Sequence, residues 1–148
     1  APTDAVGYRI EYAGRSIVVS GDTARSQSLA LAAESADLLV HEVISPELDR
    51  VMHEAAAARG RDNIATIFTD ILDYHTSPED AGAVAAEANA GALALTHFLP
   101  QTPIPGLTQV FVREARRSYD GPIYAMRDGD VISLPREGGM RRRNYLRF

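Results

Sequence analysis

Cysteine is missing from this 148-residue sequence. Its absence excludes disulfides, thiol nucleophiles and thiolate metal ligands, so any metal ion must be held by His, Asp or Glu. Long apolar runs are missing too, since none approaches the roughly 18 residues that span a bilayer. The chain also does not open with a charged and then apolar signal segment. We therefore expect a soluble protein without a membrane partner, in a compartment left open between cytoplasm and periplasm.

Basic residues are outnumbered by acidic ones, 15 to 20. The formal net charge is -5 and the sequence pI is about 5.3. This acidic balance gives no general attraction for nucleic acid or for an anionic membrane. The one basic cluster, MRRRNYLRF at 140–148, ends the sequence. At that place we expect a frayed, solvated tail rather than a patch that binds RNA or phosphate.

Short apolar segments alternate with helix-forming segments along the chain. A hairpin through GYRIEYAGRSIVVS comes first, and the later strands and helices are predicted in the order 26–35 (helix), 37–43 (strand), 46–60 and 62–74 (helices), 78 onward (helix), 92–97 (strand), 108–119 (helix), 122–126 and 130–134 (strands). This alternation predicts an α/β fold with a mixed or parallel sheet and helices on at least one face. No linker is visible, so residues 1–148 are expected to form a single unit.

Polar residues close three of the predicted strands. Asp22 follows VVSG, Glu42 follows LLVH and His97 ends ALALTH. Because the carboxyl ends of parallel strands share one edge, where ligands bind, these residues should converge. His75, just before the helix that begins at Pro78, can reach the same rim. Two imidazoles and two carboxylates suit a metal site or a general acid/base pair, and the residue types alone leave both open.

Simpler structural roles are open for these residues as well. Asp22 could only cap the helix that follows, and His97 could be a hydrogen-bonded histidine at a strand end. His41 points to the opposite face from Glu42 in a strand of period two, which favours a structural role. His53 lies inside a predicted helix, where a packed or solvated imidazole is expected. The site also looks half built, because a catalytic zinc normally has three protein ligands and two metals need more.

Four segments together resemble a known family. SGDT, LLVHEV, HTSPEDAGAVA and LALTHF, in this order and with these gaps, look like the C-terminal half of a metallo-β-lactamase-fold hydrolase. The branch they resemble contains ribonuclease Z and arylsulfatase-like enzymes, and the resemblance continues through YDGPIYAMRDGDVISLP. It implies half of a four-layer αββα sandwich, with a mixed sheet and helices on one face.

The resemblance also implies a role for each polar residue. Asp22 would bridge two divalent metal ions, zinc by default, and His97 would be a terminal ligand of the second. Glu42 would orient His75, whose imidazole would donate a proton to the leaving group. The complete enzyme would then cleave a phosphate, sulfate or carboxylic ester with a metal-bridged hydroxide.

The N-terminal half of that fold, with its His-x-His-x-Asp-His motif, has no counterpart in this sequence. We therefore expect a fragment of a longer protein, or one of two chains that complete the site, with little activity alone. An open apolar sheet face predicts association with the missing half or with a second copy of the chain. A non-catalytic module that binds a partner through this face is the alternative.

The substrate is predicted from a loop. The segment THFLPQTPIPG at 96–106 lacks the Arg and Tyr that tend to follow this histidine in ribonuclease Z. Together with the acidic balance, the departure favours a small-molecule ester over RNA.

Overall fold

The computed structural model describes residues 5–101 and 106–146. The description leaves out residues 1–4, residues 102–105 of the loop at 96–106 from which the substrate is predicted, and residues 147–148 of the basic cluster. The described elements are β1 (Tyr8–Tyr12), β2 (Arg15–Val19), α1 (Gln27–Ala32), β3 (Leu38–Ile44), α2 (Pro46–Ala57), α3 (Asp62–Asp70), a 3₁₀ turn (Ile71–Asp73), α4 (Pro78–Glu87), β4 (Leu93–Leu99), α5 (Thr108–Ala115), β5 (Ile123–Ala125), β6 (Asp130–Ser133) and β7 (Arg141–Asn144).

Five strands form one mixed sheet in the order β1-β2-β3-β4-β5. The first two strands are an antiparallel hairpin, and β2, β3, β4 and β5 are parallel neighbours. Helices connect each parallel strand to the next, as parallel pairs require. The predicted mixed sheet is confirmed, and its order places the ends of β2, β3 and β4 side by side.

The main core lies between the sheet and one layer of helices. Leu39, Leu93 and Leu95 of the strands pack there with Val84 of α4 and Phe111 of α5, and all five side chains are fully buried. Burial of each such side chain contributes about 1.5–3 kcal/mol. The core therefore fixes α4 firmly against the strands whose ends carry the polar residues.

The other face of the sheet is only partly covered. Ile132 and Met140, from the β6–β7 hairpin and the loop that joins its strands, pack against a small cluster that includes Leu38 and Ala94. Toward β1 the same face is open, because Tyr8, Ile10 and Tyr12 are 63%, 54% and 82% exposed. Helices on one face and an open apolar area on the other are the arrangement that half of a sandwich would have.

The predicted frayed tail is wrong for residues 141–144. This segment is β7, and it pairs antiparallel with β6. Arg142 donates to the carbonyl of Ala125 over 2.8 Å and also pairs with Asp130. Asn144 Nδ2 donates to Asp130 Oδ1 over 2.9 Å. These anchors fold a basic segment that composition alone assigns to solvent.

The predicted start of α4 is confirmed in detail. Ser77 Oγ accepts a hydrogen bond from the Asp80 backbone N–H over 3.1 Å, and donates to the Asp80 carboxylate over 2.8 Å. Pro78 occupies the first helical turn. This capped terminus holds His75 at a fixed place, three residues before the helix.

Four helices end earlier than predicted. The first two are α1, which ends at Ala32 rather than at residue 35, and α2, which ends at Ala57 rather than at residue 60. The helix predicted over 62–74 ends at Asp70 and continues as the 3₁₀ turn, and α5 ends at Ala115 rather than at residue 119. Within the described part of the chain, no helix has the length and apolar character needed to cross a membrane.

Candidate metal and acid–base site

Asp22 reaches the rim because Gly21 makes a sharp turn at the end of β2. Gly21 has a φ of +65°, a conformation that favours glycine, and an added Cβ would lie 2.4 Å from the carbonyl oxygen of Val6. The turn leaves the Asp22 side chain 59% exposed. The Asp22 carboxylate is therefore exposed at this edge of the sheet and can bind a ligand such as a metal ion.

His97 is aimed by an irregularity in β4. Glu42 pairs with Thr96 and Val43 pairs with Phe98, so His97 is the extra residue of a β-bulge. Its φ is +46°, which is uncommon for a residue other than glycine. Its Nδ1 lies 3.1 Å from Asp22 Oδ1. The bulge therefore brings the imidazole onto the carboxylate of the neighbouring connection.

Glu42 and His75 form a buried pair behind the rim. His75 Nδ1 lies 3.0 Å from Glu42 Oε2, and the two side chains are 6% and 3% exposed. Glu42 Oε1 accepts the Thr76 backbone N–H over 2.8 Å and that of Thr23 over 3.5 Å. Glu42 therefore fixes the orientation of the His75 ring and leaves Nε2 to act toward the rim.

The electrostatics of this pair follow from its burial. Burial raises the pKa of Glu42 to about 7, although the Thr76 and Thr23 N–H groups act in the opposite direction. Burial lowers the pKa of His75, and the negative charge of Asp22 offsets part of that effect. Burial thus brings the pKa of Glu42 near neutrality, where side chains that exchange protons function best, and it favours the uncharged form of the His75 ring.

Asp22, His75 and His97 meet at one point of the rim. Each offers one ligand atom, and these atoms all lie within 4.8 Å of one another. The rings of His75 and His97 have centroids 5.7 Å apart. The Asp22 carboxylate and the His97 imidazole are donors that suit zinc and related divalent metals, and His75, held by the Glu42 carboxylate, stands beside them. The described residues therefore fit a divalent metal ion.

The structure thus brings together all four residues that the sequence singled out, Asp22, Glu42, His75 and His97. Their roles as metal ligands and proton donor stay predictions.

Two residues that the sequence did not single out support the site. Thr76 is 1% exposed, and its hydroxyl donates to the backbone carbonyl of Thr23, which joins the loop of His75 to the loop of Asp22. Arg25 pairs with Asp80 over 3.1 Å and with Glu87, and so ties the Asp22 loop to α4. Their nearness in sequence to His75 and Asp22 was the only signal for them.

The remaining histidines lie outside this cluster. His41 is fully buried, its Nδ1 donates to the Glu42 carbonyl over 2.7 Å, and burial lowers its pKa to about 4. His53 Nδ1 lies 3.0 Å from the carbonyl of Ala65. These contacts match the structural roles expected for both.

The chain belongs to the beta-lactamase superfamily, because the family model described as Beta-lactamase superfamily domain matches residues 1–98. Among curated proteins it is similar to the ribonuclease Z of Mycolicibacterium paratuberculosis, with 35% identity over 133 residues. It is also similar to a putative ribonuclease Z of Mycobacterium tuberculosis, with 34% identity over 129 residues. Each match includes 83% of this chain, but the chain spans only 42% of the first relative and 52% of the second.

Solved structures agree on the fold. The metallo-beta-lactamase fold protein YhfI from Bacillus subtilis matches with a TM-score of 0.59 and 22% identity, over 92% of this chain and 42% of that chain. Human tRNase Z, short form, matches with a TM-score of 0.52 and 23% identity, over 87% and 37%. The fold is therefore the metallo-β-lactamase fold, as the sequence predicted.

Proposed function

We propose that this chain is the C-terminal half of a metal-dependent hydrolase that cleaves phosphodiester bonds in RNA. The observation that carries the proposal is the rim where Asp22, His75 and His97 meet in front of Glu42. The curated relatives named ribonuclease Z support RNA as the substrate. The preference for a small-molecule ester, which the sequence suggested, has no support from the comparisons.

The proposal includes a second, N-terminal half of the fold. The chain spans less than two thirds of its curated relatives, and one face of its sheet exposes Tyr8, Ile10 and Tyr12. The missing half would cover this face and supply the further ligands that two metal ions need. It belongs to the same protein or to a second chain.

Asp22 and His97 would hold the metal ions, with Asp22 between them and zinc as the default metal. Metal ions held there would act as Lewis acids, which lower the pKa of water and stabilise negative charge on a phosphate. The chain's own contribution is to present these ligands at fixed positions. The turn at Gly21 and the bulge at His97 achieve this without a flexible loop.

His75 would donate the proton that the leaving oxygen needs. Glu42 holds Nδ1 over 3.0 Å, so Nε2 faces the rim, and it carries a proton to donate when the ring is in the imidazolium form. Glu42 is itself fixed by the Thr76 and Thr23 N–H groups. General acid catalysis by a positioned imidazole accelerates such reactions about 10²–10⁴-fold.

The test is His75→Ala in the complete protein, with both halves and bound metal. We expect its rate of RNA cleavage to fall about 100-fold or more, because the leaving oxygen loses its proton donor. An RNA with sulfur in place of the leaving oxygen should restore much of that rate, since a thiolate leaves without a proton. His53→Ala is the matched control and should cleave both substrates normally.

Two results would contradict the proposal. A rate that stays low on the sulfur-containing RNA would mean that His75 does not donate the proton. Failure of the unaltered, metal-loaded protein to cleave RNA, with turnover of aryl phosphates or sulfates instead, would replace RNA with a small ester. If the metal-loaded protein hydrolysed none of these substrates, the alternative of a non-catalytic module that binds a partner would replace the proposal.

A further inference from the structure

The outward face of β7 combines positive charge with an aromatic ring. Arg142 and Asn144 point inward to anchor the hairpin. Because side chains alternate along a strand, Arg141 and Arg143 share the opposite face, and Tyr145 continues it. The two arginines are exposed, and Tyr145 is 68% exposed.

These three side chains line one shallow groove. Its volume is about 350 Å³, and Ser133, Leu134 and Pro135 form its other wall. Within the described part of the chain, neither Arg141 nor Arg143 takes part in an ion pair. Their guanidinium groups are therefore not neutralised by the described acidic residues of this chain.

The hairpin is a positive region in an acidic protein. Residues 127–146 hold five arginines against three acidic residues, whereas the whole chain has a net charge of -5. Every cationic side chain in the sequence is an arginine, because lysine is absent. The planar guanidinium group binds phosphate through two parallel hydrogen bonds and also stacks on flat rings.

We infer that the face of β7 formed by Arg141, Arg143 and Tyr145 binds single-stranded RNA. The two guanidinium groups contact successive phosphates, and the Tyr145 ring stacks on a base. Residues two apart in a strand stand about 6.6 Å apart, so the three groups follow an extended nucleic-acid strand. This combination of a charged groove and an exposed ring is how proteins bind single strands without reading their sequence.

The position of the hairpin sets the length of the ligand. Arg15, the first residue of β2, donates to the carbonyls of Pro135 and Gly138 over 2.9 and 2.8 Å. Asp22 follows the other end of the same strand. Pro135, in one wall of the groove, therefore lies at the end of β2 that is opposite to Asp22, and a substrate that contacts both places must be long. The choice of RNA rests on the proposed function.

The test measures RNA binding by the complete protein. A fluorescently labelled oligouridylate of about 15 nucleotides is the probe, because it has little structure of its own, and fluorescence anisotropy gives its affinity between 50 and 200 mM salt. The double variant Arg141→Ala/Arg143→Ala should bind more weakly. The slope of its log affinity against log salt concentration should be less negative by about 1.4, because each of the two lost phosphate contacts to a single strand contributes about 0.7 to the slope.

Tyr145 is tested separately. Tyr145→Ala should lower the affinity about fivefold or more with no change in the salt slope, because stacking releases no counterions. Tyr145→Phe should bind normally. The matched control is Arg59→Ala/Arg61→Ala, which removes two exposed arginines at the same spacing from the α2–α3 connection and should leave the salt slope unchanged.

An unchanged salt slope in the β7 double variant, or an equal loss in the control, would overturn the inference. Circular dichroism of each variant is the check that it is folded. RNA binding by the β7 face does not require RNA cleavage at the rim, so the experiment tests the inference and the proposed function separately. RNA that binds through β7 but is not cleaved would refute the proposed function alone, and cleaved RNA with β7 variants that bind normally would refute this inference alone.

Discussion

Glu42 connects the residues of the candidate site through both of its oxygens. One oxygen lies 3.0 Å from the His75 ring, and the other accepts the backbone N–H of Thr76 over 2.8 Å. The Thr76 hydroxyl in turn donates to the carbonyl of Thr23, next to Asp22. A few side chains therefore hold β3 and the two connections that carry Asp22 and His75 together at the rim.

Thr76→Val tests this connection. The substitution keeps the shape of the side chain and the N–H to Glu42, but it leaves the Thr23 carbonyl without its partner. We expect the free energy of unfolding to fall by about 1–3 kcal/mol. Urea denaturation measures it. Thr66→Val is the control, since the Thr66 hydroxyl donates to Asp62 on an exposed helix surface, and an equal loss there would contradict the explanation.

The sequence predicts the convergence of Asp22, Glu42 and His97 because strand ends and the period of two are visible in it. It does not predict how His97 is aimed. A bulge with a positive φ depends on the register between two strands, and no residue near His97 signals it. The sequence does not predict the role of Thr76 for a similar reason, because the partner of its hydroxyl lies 53 positions earlier in the chain.

At the level of elements, Arg15 and Asp37 join β2, β3 and the β6–β7 hairpin. Arg15 Nη1 lies 2.7 Å from Asp37 Oδ1, and the Ser16 backbone N–H donates to Asp37 Oδ2 over 2.8 Å. Arg15 also donates to the backbone carbonyls of Pro135 and Gly138.

Helix and strand propensities alone do not predict β7, because its residues are mostly arginines. Contacts of this long-range kind, which a sequence pattern does not contain, fold it onto the sheet.

Asp37→Asn should reduce stability in a pH-dependent way. Burial acts to raise the pKa of Asp37, but hydrogen bonds from Ser16 and Arg15 outweigh it and hold the pKa below its ordinary value of 3.8. The folded state therefore prefers the carboxylate, and this stabilisation is complete above pH 3.8 and is lost as the pH falls below it. We expect a loss of about 1–2 kcal/mol at pH 7 and a smaller loss near pH 3.

Urea midpoints at the two pH values measure the Asp37→Asn effect. Asp120→Asn, at an exposed carboxylate, is the control and should have little effect at either pH. A loss of equal size at pH 3 and pH 7 would show that the charge of Asp37 is not the cause.

At the scale of the whole molecule, the open sheet face and the short span of the chain point to the same missing part. We expect Ile10→Asp to lower the melting temperature of the complete protein by several degrees, because the N-terminal half would bury this 54% exposed side chain. Leu31→Asp is the control, since Leu31 is 67% exposed on α1 of the helix layer. Equal effects of the two substitutions, measured by calorimetry, would contradict a covered face.

The metal content of the complete protein tests the site most directly. Native mass spectrometry after zinc loading should show two bound ions in the unaltered protein, and fewer in Asp22→Asn, which keeps the size of the side chain but removes its charge. Asp120→Asn should bind as many ions as the unaltered protein. If Asp22→Asn also keeps its full complement of metal while folded, Asp22 does not hold the metals, and the strand-end cluster is not the metal centre proposed for it.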